Sequence, residues 1–125
     1  MKLLKLLLAE KIFTDDSEHK FCDSIIHPLV MDEIRALTEN IDAVAEIPLL
    51  PEAGRPEWVD RAIYITAKFE ARAERCAVQR GWSVDELRRR ESLLLPQSVR
   101  MSVCERVIHN NNNIHELTRK LEEIL

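Results

Sequence analysis

Four histidines and three cysteines are the side chains of this 125-residue chain most suited to metal or nucleophilic chemistry. His19, Cys22 and His27 fall within nine residues, and Cys104, His109 and His115 form a second, looser group. The third spacing of the first group is off-register for one helical face. Neither an H-E-x-x-H nor a C-x-x-C arrangement occurs, and metal sites built on helices depend on such spacings. Nucleophilic Cys–His catalysis needs a base within hydrogen-bond reach in space, an adjacency that sequence spacing does not show. There is no glycine-rich phosphate loop either: Gly54 lies in a proline-rich stretch and Gly81 closes a helix. The expectation is therefore no metal site, no cofactor and no catalytic constellation.

Cationic residues are the second chemical resource. On a helical wheel, Lys68, Arg72 and Arg75 continue a narrow stripe begun by Arg61, and Arg88, Arg89 and Arg90 follow on the next segment. Glu57 stands four residues before Arg61, whereas Glu70 and Glu74 point elsewhere. Lys68, Arg72 and Arg75 thus lack an obvious partner on their own helix. Together with Arg88, Arg89 and Arg90 they form the candidate site for an anion or a charged partner. Residues 73–90, around CAVQRGWSVDEL, have the helix–glycine turn–capped helix order of a helix-turn-helix. Asp85 and Glu86 would then face the DNA, and Arg80 and Arg90 stand where that motif wants apolar packing. Nucleic acid is accordingly the weaker reading.

Several helices must position these groups. Pro56 suits a first helical turn, Gly81 a left-handed stop, and Ser83 with Glu86 a capping box. A long central helix over about 56–80 is predicted, apolar on two sides: Trp58, Ala62, Ile65, Phe69, Ala73 and Cys76 on one, Ala67, Ala71 and Val78 on the other. A helix over residues 2–13 carries Leu3, Leu4, Leu7 and Leu8. A short helix is expected up to His27, where Pro28 marks a break or kink. From Leu29 to about Glu46, Val30, Ile34, Leu37, Ile41 and Val44 alternate steps of four and three, a seam for lengthwise packing. Residues 47–56, with three prolines and a glycine, read as a connector. Ser98 starts a helix ending near the asparagines at 110–113, and Asn113 with Glu116 caps the last one.

Composition fits an all-α reading. Apolar residues make up 46%, enough for a core, and two glycines are too few for a fold rich in tight turns. One domain over residues 1–125 is expected, a compact bundle of about six helices around the central one. The net charge of −4 is unevenly spread: residues 1–62 hold 7 Lys/Arg against 13 Asp/Glu, residues 63–125 hold 11 against 9. Three unpatterned cysteines favour a reducing compartment. The opening MKLLKLLLAEKIF is interrupted by charges and too short to span a bilayer, so a cytoplasmic protein without a membrane partner is expected. The function these features favour is a non-catalytic protein–protein interaction module, a regulator, adaptor or assembly subunit. It would bind another protein or itself as a homodimer through Leu3, Leu4, Leu7, Val30, Ile34, Leu37 and Ile41. A DNA-binding regulator ranks second, and a small helical enzyme with a site assembled from distant residues third.

Overall fold

The computed structural model describes residues 2–125, the side chain of Phe13 excepted. It divides into two compact units, one up to Trp58 and one from Val59 to Leu125. The first is helical: α1 (Lys2–Thr14) packs on α2 (Asp16–Thr38), and α2 also meets the single turn α3 (Leu50–Ala53). Asp15 joins α1 to α2 because its carboxylate accepts from the backbone N–H groups of Ser17 (2.9 Å) and Glu18 (3.2 Å), two donors that a helix start leaves unsatisfied. Those bonds hold the Asp15 carboxyl below the usual carboxylate range, led by the bond from the Ser17 side chain.

Two expectations for this unit need correction. The break at Pro28 is absent, since α2 runs through it; proline removes one N–H and strains one turn but does not by itself end a long helix. The helix stops instead at Thr38, whose hydroxyl donates back to the Ile34 carbonyl at 2.8 Å, and Asn40 adopts a left-handed φ of 64°. Ile41 and Val44 therefore lie beyond the helix, and the seam is not buried within the chain: Leu37 is 66% and Ile41 63% exposed. Leu3, Leu4 and Leu7 of α1 are exposed as well. Within the proline-rich stretch, Leu50 is buried, so residues 47–56 contribute packing as well as connection.

The second unit overturns the all-α reading. Residues 63–66 form a strand, β1 (Ile63–Thr66), and residues 106–109 a second, β2 (Arg106–His109). They pair in parallel, with Ile63 opposite Arg106 and Thr66 opposite His109. Parallel neighbours require a long crossover, here α4 (Phe69–Arg80), α5 (Val84–Glu91) and α6 (Gln97–Ser102); α7 (Ile114–Glu122) follows β2 and packs against it. The central helix over 56–80 is thus two elements. Ile63-Tyr64-Ile65-Thr66 is a β-branched and aromatic run, the composition that suits a pleated surface. Ile65, read on a helical wheel with Phe69 and Cys76, in fact belongs to the strand. Pro56 starts no helix. The segment expected to be helical from Ser98 to the asparagines likewise splits into α6 and β2.

The capping signals fare better. Gly81 takes φ +66°, with its N–H on the Ala77 carbonyl and that of Trp82 on Cys76. Ser83 Oγ accepts from Glu86 N at 3.1 Å, and Asn113 Oδ1 from Glu116 N at 3.0 Å. The most buried apolar residues of this unit are Ala62, Leu87 and Ile108, the last 3% exposed.

Candidate functional site

The strand pair is fastened at both ends by residues just outside it. At its N-terminal end the Glu105 carboxylate accepts from Ala62 N at 2.7 Å, and Glu105 N donates to the Ala62 carbonyl at 3.0 Å. At its C-terminal end Asn110 N donates to Thr66 O at 2.7 Å, and Asn111 Oδ1 accepts from Lys68 N, also at 2.7 Å. These bonds fix the loops that leave β1 and β2 on the same side. A cleft of about 560 Å³ opens there, lined by Tyr64, Ile65, Thr66 and Ala67 from β1 and its exit and by Asn110 beyond β2. The other wall is Arg72 and Arg75 of α4, Glu91 of α5, Leu94 to Gln97, and Arg100 of α6. Ligands of α/β proteins bind outside the carboxyl ends of parallel strands, and this cleft occupies that place.

Three guanidiniums and one carboxylate give the cleft a positive balance. Arg72 makes a bidentate pair with Glu91, Nε to Oε1 at 2.7 Å and Nη2 to Oε2 at 3.0 Å. Its Nη1 donates to the Ala67 carbonyl, and its guanidinium lies 5.5 Å from the centre of the Phe69 ring. The hydrogen bonds it donates to Glu91 push its pKa further above the ordinary arginine value. Arg75 donates to the carbonyls of Asn110 (2.8 Å) and Asn112 (3.4 Å). Arg100 stacks over Tyr64, 5.3 Å from the ring centre. Each charge is therefore oriented by backbone carbonyls, a carboxylate or an aromatic face, as a preformed oxyanion or phosphate site requires.

The six cationic residues singled out in the sequence separate into two groups. Arg72 and Arg75 enter the cleft. Lys68 stands at the N-terminus of α4 and is tied through its backbone to Asn111. Arg88 also lies over the Phe69 ring, 5.0 Å from its centre. Arg89 and Arg90 both bond Glu86, at 3.0 and 2.6 Å, and Arg90 stacks on Trp82 at 4.2 Å. The Arg88–Arg90 run is thus paired on its own helix and against two rings. Sequence reasoning missed Arg100, Tyr64, Gln97 and Asn110. The available signal was Val107-Ile108 followed by the asparagines, a short apolar run that ends at a polar loop as a buried strand does.

Of the histidine and cysteine groups, His19 and His27 flank Asp23 on one face of α2, with Nε2 atoms 3.2 and 3.6 Å from its two oxygens. Steps of four put them there, and the off-register residue is Cys22. Cys104 Sγ lies 3.8 Å from the Arg100 carbonyl, and all three cysteines are free thiols. Among the described residues no cluster of three or more His, Cys, Asp or Glu is placed to hold a metal ion, and no helix is long and apolar enough to cross a membrane.

Comparison with known proteins explains the architecture. The family model for dephospho-CoA kinase matches residues 2–116. The dephospho-CoA kinase of Corynebacterium glutamicum is 28% identical over 124 residues, covering 94% of this chain and 62% of that protein. That of Geobacillus kaustophilus is 29% identical over 124 residues, with the same coverage. The crystal structure of TT1252 from Thermus thermophilus superposes with a TM-score of 0.74 at 25% identity, over 96% of this chain and 64% of that one. The chain thus spans about three fifths of the length of the relatives it matches. These matches overturn the all-α bundle in favour of an α/β kinase fold with a parallel sheet. They also overturn the non-catalytic interaction module, because the family is named for an enzyme. The chain belongs to the dephospho-CoA kinase family.

Proposed function

We propose that this chain takes part in phosphoryl transfer to dephospho-CoA, and that the cleft beyond Thr66 and Asn110 holds phosphate groups of that acceptor. The observation that carries the reading is the convergence of Arg72, Arg75 and Arg100 at the carboxyl ends of two parallel strands in a member of this family. Phosphoryl transfer leaves little covalent chemistry to the protein; positioning and charge neutralisation supply most of the rate. Three oriented guanidiniums suit the bidentate recognition of a diphosphate better than lysines would. The apolar run Leu94-Leu95-Pro96 on the same wall gives a surface for the uncharged part of the acceptor.

Donor phosphates need a cradle of a different kind, and residues 1–125 contain no Gly-x-x-x-x-Gly-Lys-Ser/Thr segment. Binding, rather than turnover, is therefore the direct test. Calorimetric titration with dephospho-CoA should give saturable binding that phosphate-free pantetheine does not reproduce. Arg75→Gln and Arg100→Gln should each weaken it about tenfold or more, the cost of one charged phosphate contact. Equal binding of pantetheine, or indifference to both substitutions, rejects the reading. We place the protein in the cytoplasm, which the free thiols of Cys22, Cys76 and Cys104 support. The exposed leucines of α1 and α2 are a candidate self-association surface, to be read by sedimentation.

A further inference from the structure

Arg72 is positioned twice over. The Ala67 carbonyl and the Phe69 ring hold its guanidinium in place, and Glu91 then occupies the two N–H groups, Nε and Nη2, that would form a fork for a phosphate. Glu91 itself has a weak claim on its position. It is the last residue of α5, where the helix dipole disfavours a negative charge. About a third of each side chain still meets water, 32% for Arg72 and 31% for Glu91. A half-exposed pair of this sort can be reached by an anion from the cleft. A phosphate group can present two of its oxygens to the same two N–H groups, and a diphosphate carries more total charge than one carboxylate.

Building on the acceptor-phosphate reading above, we propose that Glu91 is an internal anion that an incoming phosphate must displace from Arg72. The exchange is one bidentate partner for another, with the guanidinium kept in place by Ala67 and Phe69. Glu91 is then a specificity residue: it shields Arg72 from anions with a single acceptor atom, such as chloride, which cannot replace both of its bonds, and admits phosphate groups that present two oxygens. It also links ligand binding to the end of α5 and the turn through Ser92–Pro96, because releasing Glu91 removes a tie between α4 and α5.

The test uses the full chain and inorganic pyrophosphate as probe, with affinities from calorimetry for the parent, Glu91→Gln, Glu91→Asp and Arg75→Gln. An internal competitor that holds the site nine-tenths of the time weakens apparent affinity about tenfold. Glu91→Gln should therefore bind pyrophosphate about tenfold more tightly than the parent. Glu91→Asp keeps the charge but is too short to span both N–H groups, and should fall between. The Nε–Hε NMR resonance of Arg72 should shift on pyrophosphate addition in the parent; in Glu91→Gln it should start away from the parent's ligand-free position, the carboxylate acceptor being gone, and reach the same ligand-bound position. A merely structural Glu91 predicts the opposite, weaker binding in both variants together with a lower melting temperature. Should Glu91→Gln fail to fold, Glu91→Asp and the parent's Arg72 resonance decide the matter. Binding that depends on Arg75 but is unchanged or weakened by both Glu91 substitutions overturns the exchange and leaves the acceptor-phosphate reading intact. Absence of pyrophosphate binding in every protein overturns both.

Discussion

The Arg75 guanidinium donates to the carbonyl oxygen of Asn110 at 2.8 Å, so a crossover helix is tied to the first residue beyond the strand it leads to. That bond does two things. It satisfies a carbonyl where β2 ends, and it sets the angle at which one of the cleft's charges faces a ligand. Arg75→Met keeps most of the aliphatic stem and removes both functions. Urea unfolding should show a loss of roughly 1.5–3 kcal/mol, the range for a hydrogen bond to a charged donor. Dephospho-CoA affinity should fall about tenfold or more in the same variant. A variant as stable as the parent would mean that the Asn110 carbonyl is satisfied equally well by water.

Glu105 and Ala62 make the matching clamp at the other end of the strands. The carboxylate accepts from the backbone N–H of Ala62, itself a buried residue, so little water can replace it. Glu105→Ala should destabilise by about 1.5–3 kcal/mol and Glu105→Gln by less, since the amide oxygen can still accept. Equal losses in the two variants would show that the charge matters and the acceptor geometry does not.

Much of the local punctuation was legible in the sequence, and the strands were not, for a physical reason. Gly81, Ser83 and Asn113 act through one or two backbone bonds within four residues, so their types alone announce them. Asp15 is of the same kind, since it acts through backbone bonds within three residues. Ile63–Thr66 and Arg106–His109 are different. Each is four residues long and gains its stability from the other, 43 positions away. A four-residue apolar run has no period of its own to separate strand from buried helix. The same distance hid half of the site. Arg72 and Arg75 stood out because they share a helix; Arg100, Tyr64 and Asn110 join them only through the parallel pairing.

The cluster of Glu86, Arg89 and Arg90 predicts a pH dependence. Hydrogen bonds from Arg90, then Arg89, hold the Glu86 carboxyl below its ordinary value of 4.5. A depressed folded-state value means that ionised Glu86 favours the folded form. Its contribution is present above the unfolded value and is lost as pH falls through the folded one. Melting temperature followed downward from pH 6 should decline more steeply in the parent than in Glu86→Gln through the region below 4.5. Side-chain carboxyl NMR should place the Glu86 midpoint below that of a model glutamate. Parallel melting curves for the two proteins would show that the ion pairs seen here are fully screened in solution.

Gly81 supplies the turn between α4 and α5 at φ +66°, and an added Cβ there would meet no atom within 4 Å. Any penalty for substitution is therefore conformational rather than steric. Gly81→Ala should cost about 1–2 kcal/mol, the ordinary price of the left-handed region for an L-residue, and Gly81→Asn less, because asparagine tolerates that region. Equal costs would imply that the turn relaxes to a different conformation.

Burial gives the sharpest contrast. The four-and-three spacing from Val30 to Val44 reads as a packed seam, which would put a cost of several kcal/mol on Leu37→Ala, whereas Leu37 is 66% exposed in the chain. Ile108 carries no such pattern, yet it is 3% exposed at the middle of β2 and pairs in register with Ile65. Deleting its side chain beyond Cβ leaves a cavity between the strand and the elements over it, and the surrounding backbone is held at both strand ends by Glu105 and Asn110. Collapse into the cavity is correspondingly restricted. Ile108→Ala should destabilise by roughly 2–5 kcal/mol, and Leu37→Ala should stay within about 0.5 kcal/mol of the parent, as exposed substitutions do. Both are measured by urea unfolding at a protein concentration low enough to keep the chain monomeric. Repeating Leu37→Ala at tenfold and hundredfold higher concentration adds a second reading. If Leu37, Ile34 and Ile41 meet another copy of the chain, the parent's stability rises with concentration and the variant's does not. A large loss for Leu37→Ala in the monomer, or a negligible one for Ile108→Ala, would reverse the burial order on which the strand pair and its cleft depend.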